Sequence, residues 1–560
     1  MTSKNAYLGV NLLHDTSAAI LCDGELVAAV EQERFDGVRH STNFPHDAIQ
    51  FCLKEAGLKI SDVKNIGVTF DYSSFIANNR PFEQNTVNHD DISLDGQKVQ
   101  IARNITTYRN AIQSMRESGL GNFVSIRHHF CHAAATFFSS GFESSNILVL
   151  DGRGEDESTS LYFGNGISIE KLKSYPIKDS LGHLYTYVTS LCGLYSYIGQ
   201  EGKTMGLSSY GRGKVSIIDT VLKFDKSGYF IDREAMRKLR DIADKKAFSD
   251  SSKELAYAVQ KAIERAFAFL AEDLYGQTGN RNFCLAGGVA LNCNANGVVA
   301  GLDFVDNIYI QPAANDAGAA IGAAMLLHVG DLETRPVVRE QVYLGPDFSS
   351  KEIVDYLSSE KISFEKIASP HQEAAKLINS GMVIGWCQGK MEFGPRALGN
   401  RSILAAPTSA SIRDRVNVVK QRESWRPLAP SVLAEHAANW FEMPAPSPFM
   451  LITMKVREKY KDLVAAITHV DGTARVQTVS EKDNKKYYDL INEYHKLSGI
   501  PMVLNTSLNT KGKPIVSSPA DCIECLYESG LDAIFIGDYL IYNTKKMNSN
   551  ETDSLLEAAV

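Results

Sequence analysis

The stretch AYLGVNLLHDTSAAILCDGELVAAVE (6–31) alternates short apolar runs with polar breaks. The pattern predicts three strands joined at His14-Asp15 and at Asp23-Gly24. NILVLDGRGEDESTSLYFGNGISIE (146–170) repeats it: an apolar strand ending in Asp151-Gly152, a polar turn, a second strand, then Gly164-Asn165-Gly166. Two such modules predict an internally duplicated α/β unit. Each puts an acidic residue at the C-terminal end of its first strand, where ligands bind in α/β sheets. Helical spacing over 253–275 predicts a helix. NFCLAGGVALNCNANG predicts a strand, a Gly-Gly turn and a helix start, and YIQPAANDAGAAIGAAMLL a short strand, a turn and a closely packed Ala/Gly helix. The polar run 80–104 predicts a surface excursion, and GQEGKTMGLSSYG (199–211) a flexible loop over a site. A boundary near 330–348 divides the chain into domains 1–340 and 341–545, the second again α/β, with a polar tail at 546–560.

Composition narrows the class. With 560 residues, 44% hydrophobic and 22% charged, the chain can bury large cores without cross-links. A net charge of −8 argues against a general nucleic-acid binder. No apolar run is long enough for a bilayer, the N-terminus lacks a secretory pattern, and the nine cysteines are scattered. A cytoplasmic protein with neither nucleic acid nor membrane as partner is expected. The pair Cys522 and Cys525 makes half a zinc site at best, and reads better as two small residues on a helix.

Candidate chemistry sits in two places. In RHHFCHAAATFF, His128 and His132 are four residues apart, one turn along one helix face. With Asp151 and with Asp316 of NDAGAA they would suit Fe(II), Mn(II) or Zn(II). Spacing alone also allows Asp151 as a strand-end turn residue and Asp316 as a helix N-cap. His129 falls on another face and Cys131 reads as core. The AGGVALN turn offers backbone amides at Gly287 and Gly288, with Asn292 following, as a seat for a phosphate or nucleotide edge, or simply as a tight connection. Lys203 either reaches an anion or is solvated. The stronger signal is cationic. Lys390, Arg396, Arg401, Arg413, Arg415, Lys420, Arg422 and Arg426 face only three acids within 37 residues, interleaved with Gly, Pro and Trp. Fixed turns holding guanidinium forks predict an anion or polyphosphate site, which Arg475, Asn505, Ser507 and Asn509 can complete.

HDTSAA, HHFCHAAATFF, EGKTMGLSSYG, AGGVALN, NDAGAAIGAA, KMEFGPRALGNRS, KQRESWRPLAP, THVDGTARVQTV and LNTSLN, in this order, resemble the carbamoyltransferases of nodulation and antibiotic biosynthesis. The resemblance covers nearly the whole chain. It implies an N-terminal domain like the tRNA threonylcarbamoyl transferases, actin- and sugar-kinase-like in fold, and a C-terminal domain like the threonylcarbamoyl-adenylate synthases. It implies that the second domain makes carbamoyl-adenylate from carbamoyl phosphate and ATP with Mg²⁺. The first would then pass the carbamoyl group to a hydroxyl of a small secondary-metabolite acceptor. Under the resemblance, His128, His132, Asp151 and Asp316 are metal ligands, with Fe²⁺ the favoured ion. Arg396, Lys420, Arg426, Arg475, Asn505 and Ser507 belong to the activating site, and His14 to the reacting centre. The expected general base is His14, with Asp15 the alternative; Lys420 and Arg426 are the expected catalytic cations. The loops 71–104 and 176–200 are expected to bind the acceptor. An actin-like small-molecule kinase is the rival reading, and the oligomeric state stays open between monomer and homodimer.

Overall fold

The computed structural model describes residues 5–71, 109–110, 112–117, 120, 123–194, 199–217, 219–340 and 342–544. The expected excursion at 80–104, nearly all of the loop 71–104, and the tail 546–560 lie outside the described residues.

The N-terminal half holds two five-stranded sheets of one topology. In the first, Glu25–Glu31, Ser17–Cys22 and Ala6–Asn11 form an antiparallel meander, and Asn65–Val68 and Phe123–Ser125 add in parallel beside Ala6–Asn11. In the second, Ser168–Pro176, Glu157–Asn165 and Ser144–Leu150 form the meander, and Asn282–Ala286 and Asn307–Ile310 add in parallel. This is the duplication that the two sequence modules predict.

A helix follows the last strand of each half: His128–Ser140 and Asp316–Leu332. The two pack on each other between the sheets at backbone distance. A Cβ at Gly322 would lie 1.8 Å from the Cys131 carbonyl oxygen, and one at Gly9 would lie 1.9 Å from that of Ala320. The Ala/Gly composition of the second helix exists for this approach.

The C-terminal half is built on a ten-stranded, largely antiparallel sheet, with Ile384–Cys387, Arg401–Ala405, Met502–Ser507 and Ala429–Leu433 adjacent at its centre. The halves meet tightly. Asn296 Nδ2 donates to the Leu451 carbonyl at 2.9 Å, and a Cβ at Gly297 would lie 2.7 Å from the Thr453 carbonyl oxygen. Buried Arg34 pairs with Glu31 and donates to the Gly394 carbonyl across the seam.

One expectation is corrected here. The segment expected to be a flexible loop, 199–211, contains the helix Glu201–Ser208. Its Gly206 is no breaker, because the missing side chain leaves room for Pro427 and Trp425 across the seam.

Candidate active site

The first centre forms where the duplicated halves touch. His128 and His132 lie in the first turns of their helix and are buried. Glu155 Oε1 accepts the free N–H of His128 at 2.9 Å, which caps a helix start that has no side-chain N-cap. Asp151 extends from the end of Ser144–Leu150, and Asp316 opens its own helix, whose N-cap is Asn315. The four side chains converge, with one ligand atom from each within 4.8 Å of the others. His128 Nε2 is 3.1 Å from Asp151 Oδ2, 3.5 Å from Asp316 Oδ1 and 3.1 Å from His132 Nε2.

The neighbours aim these ligands. His128 Nδ1 lies 3.0 Å from the Thr69 carbonyl, and a proton donated there leaves Nε2 facing inward. Asp151 Oδ1 accepts the Gly288 N–H at 3.0 Å. Two imidazole Nε2 atoms and two carboxylates turned to one point are a donor set that suits a divalent transition ion. Burial lowers the His128 pKa, but Asp316 and Asp151 outweigh it and hold it well above the usual histidine range. Burial and the neighbouring His128 push His132 down to about 4. His14 sits at the rim, with Nε2 3.4 Å from Asp316 Oδ2 and Nδ1 3.0 Å from Asp15 Oδ2. Burial would lower its pKa, but Asp316, Asp15 and Asp151 raise it to about 10. His129 points away, to Ser160, and Cys131 is buried in the core.

The second centre is a cleft at the seam between the halves. Arg396, Arg422, Arg426 and Arg475 line it together with Ser507, Arg39, Cys293 and the helix Glu201–Ser208. Burial lowers the pKa of all four guanidinium groups. Arg475 adds to the effect at Arg396, and Arg426 at Arg422, bringing both to about 9. Arg396 Nε and Arg422 Nη2 are buried with no partner among the described residues. Glu423 is the acid at hand, 3.8 Å from Arg426 and 3.0 Å from Lys203. Lys420 is buried, and burial and Arg422 push its pKa well down. Its ammonium meets oxygens of Ser507 and Asn509, which position it beside the cleft. Asn505 is buried between Ser431 and Ala397 and supports the floor.

Other sequence candidates stand elsewhere. Lys390 pairs with Glu55 at 2.9 Å on the surface, outside the cleft. Arg401 is fully buried and donates to the carbonyls of Gln388, Gly389, Asn400 and Pro346, so it works as a strut. Asn292 caps the helix Cys293–Ala300 and bonds Gln260. Gly287, at φ 91°, lies against the Leu150 backbone, and the Gly288 amide is already taken by Asp151. Neither residue lines the cationic cleft. Cys522 and Cys525 are buried on the helix Pro519–Ser529. Arg39 had no sequence signal of its own; it comes from an N-terminal turn, far along the chain from the other arginines.

Fold and site together define a two-centre α/β protein: a His₂Asp₂ cluster between duplicated halves, and a polycationic cleft at the seam. The family description "Carbamoyltransferase N-terminus" matches residues 6–325, and "Carbamoyltransferase C-terminus" matches 375–543. The nodulation protein NolNO of Sinorhizobium fredii is 38% identical over 97% of this chain and 80% of its own. Nodulation protein U of Rhizobium tropici is 30% identical over 92% of this chain and 93% of its own. Among solved structures, T. kodakarensis HypF is matched at 13% identity and TM-score 0.37, over 58% of this chain and 48% of its own. P. abyssi Sua5 is matched at 15% identity and TM-score 0.21, over 28% and 42%. The chain belongs to the carbamoyltransferase family and is an enzyme of that family. Among the described residues no helix is long and apolar enough to cross a membrane.

Proposed function

We propose that the protein is an ATP-dependent O-carbamoyltransferase that works in two half-reactions. The observation that carries this reading is the seam cleft, where four half-buried arginines, with Lys420 beside them, meet little negative charge of the protein's own. Such a cluster is electrostatically unfavourable until a polyanion fills it. Carbamoyl phosphate and ATP, with Mg²⁺, are polyanions of the required charge. Water splits carbamoyl phosphate into carbamate and phosphate. A carbamate oxygen then attacks the α-phosphorus of ATP, and the bond to pyrophosphate breaks. Arg396, Arg422, Arg426 and Arg475 hold the phosphate oxygens and offset the charge that gathers on them.

Transfer belongs to the His₂Asp₂ centre. His128, His132, Asp151 and Asp316 would hold a divalent ion, with Fe²⁺ favoured, and the ion would polarise the carbamoyl carbonyl. A hydroxyl of a small acceptor attacks the carbamoyl carbon, and AMP leaves. An ion held by Asp151 and Asp316 would offset the charges that keep His14 protonated, and the neutral imidazole, with Asp15 behind it, would receive the hydroxyl proton. Burial of the seam suits an intermediate that water destroys. A small hydroxylated natural product is the acceptor class this chemistry accommodates. The rival kinase reading accounts for neither the His₂Asp₂ centre nor the cleft, and it does not fit the family. The test is pyrophosphate release from ATP by the purified protein without acceptor. Release that requires carbamoyl phosphate supports the proposal. Untouched ATP, or ADP formed regardless of carbamoyl phosphate, overturns it.

A further inference from the structure

Behind His14 runs a second connection that leads away from the metal ligands. Asp15 is buried and uses both carboxylate oxygens on imidazoles: Oδ2 lies 3.0 Å from His14 Nδ1, and Oδ1 lies 2.7 Å from His40 Nδ1. The backbone is built to hold this bridge. Asp15 and His40 both have positive φ, 53° and 55°, a conformation that non-glycine residues adopt only when the surroundings impose it. Asn11 Nδ2 donates to the carbonyls of His14 and Asp15, and Thr69 Oγ1 donates to Asn11 Oδ1. Glu33 accepts the His40 N–H at 2.7 Å, and Thr16 N–H donates to the Ser41 carbonyl, tying the two turns together. The far edge of the His40 ring lies against Gly199, where a Cβ would come 2.3 Å from Nε2. Gly199 leads directly into the helix that lines the cationic cleft, and Arg39, next to His40, lines that cleft itself.

We propose that His40 is a positioning residue for carbamoyl transfer: through Asp15 it fixes the His14 imidazole with Nε2 turned to the metal centre. The proposal rests on the transfer role given to His14 above. Asp15 held by a single imidazole has one carboxylate oxygen fewer to fix its plane, so it can turn more widely, and His14 Nδ1 with it. Asp15 pinned by two cannot, so the ring that meets the acceptor hydroxyl keeps one orientation. The His–Asp–His bridge also gives the reacting centre a mechanical link to the segment 199–208 at the other site.

The test uses the full chain loaded with Zn²⁺ and ¹⁵N-labelled at histidine. His14 ring resonances are identified by their loss in His14→Gln. His40→Leu is expected to shift the His14 resonances while cooperative folding and Zn²⁺ content are retained, at a lower melting temperature. His40→Asn, which keeps an N–H donor at the Nδ1 position, is expected to restore them. Unchanged His14 resonances in His40→Leu overturn the proposal. So does loss of Zn²⁺ or of cooperative folding in both variants, which would make His40 a structural residue only. Pyrophosphate release is measured alongside. If the wild type releases none with carbamoyl phosphate, the two-step reaction falls, while the His14 resonances still decide the coupling.

Discussion

At the scale of single residues, the cleft arginines are the clearest case of function set against stability. Their mutual repulsion and burial disfavour the ligand-free fold, and a bound anion relieves both. Arg475→Met is therefore expected to raise the melting temperature of the ligand-free protein by roughly 2 °C or more. Arg426→Ala should reduce carbamoyl-phosphate-dependent pyrophosphate release by about 100-fold. Calorimetry and the pyrophosphate assay check the pair. At the other centre, His132→Ala removes one of two facing Nε2 atoms. Metal measured after gel filtration should fall to background, with the fold retained. A pH effect follows from His469 in the cleft wall, whose pKa burial lowers against the opposing pull of Asp471, with Arg413 adding to the lowering. As pH falls below about 6.5 the unfolded chain binds a proton that the folded site resists, so stability drops on acidification. His469→Gln should make the fall in melting temperature between pH 7 and pH 5 shallower.

At the scale of elements, the metal centre depends on two helices approaching to backbone contact. Gly322 faces the Cys131 carbonyl with no room for a side chain, whereas a Cβ at Gly330, on the same helix, would meet nothing within 4 Å. Gly322→Val should cost about 1–3 kcal/mol or more and reduce metal content, because it moves Asp316 away from His128 and His132. Gly330→Val should leave metal content unchanged. Thermal melts and metal analysis separate the two. The Ala/Gly run announces close packing, but it does not say against what. Likewise the i,i+4 histidines announce a shared face, while Asp151 and Asp316 join that face only because duplicated strand ends and helix starts meet at the pseudo-symmetric interface.

At the scale of the whole molecule, the halves share the cleft. Lys203 reaches Glu423, Ser209 Oγ donates to Asp471, and Phe248 stacks on Trp425 across the seam. At Gly297 the backbones leave no room for a side chain. Gly297→Val should hold the seam open. Pyrophosphate should still form, but a larger share of the activated carbamoyl group should be lost to water, read as ammonia released per pyrophosphate.

Much of this is legible in the chain itself, and the physical reason divides the cases. Periodicity and turn residues act locally, so the duplicated strand modules, the helix at 253–275 and the histidine face are written in neighbouring positions. The cluster of cations in 390–426 is visible for the same reason. Their sorting is not. Arg396, Arg422 and Arg426 face the cleft, Lys390 pairs with Glu55 at the surface, and Arg401 is spent on four carbonyls, a division set by sheet register and domain docking rather than by residue type. The same holds for Arg39 and His40, which reach their sites only through a turn at positive φ. The helix at 201–208 escapes a reading of the chain because its glycines lower local propensity, and only packing against Pro427 and Trp425 restores it. Residue order thus set which side chains were on hand for a metal ion and for anions. Which of them converge was settled by long-range closure, because contacts between residues hundreds of positions apart are fixed by how two sheets and two domains pack on each other.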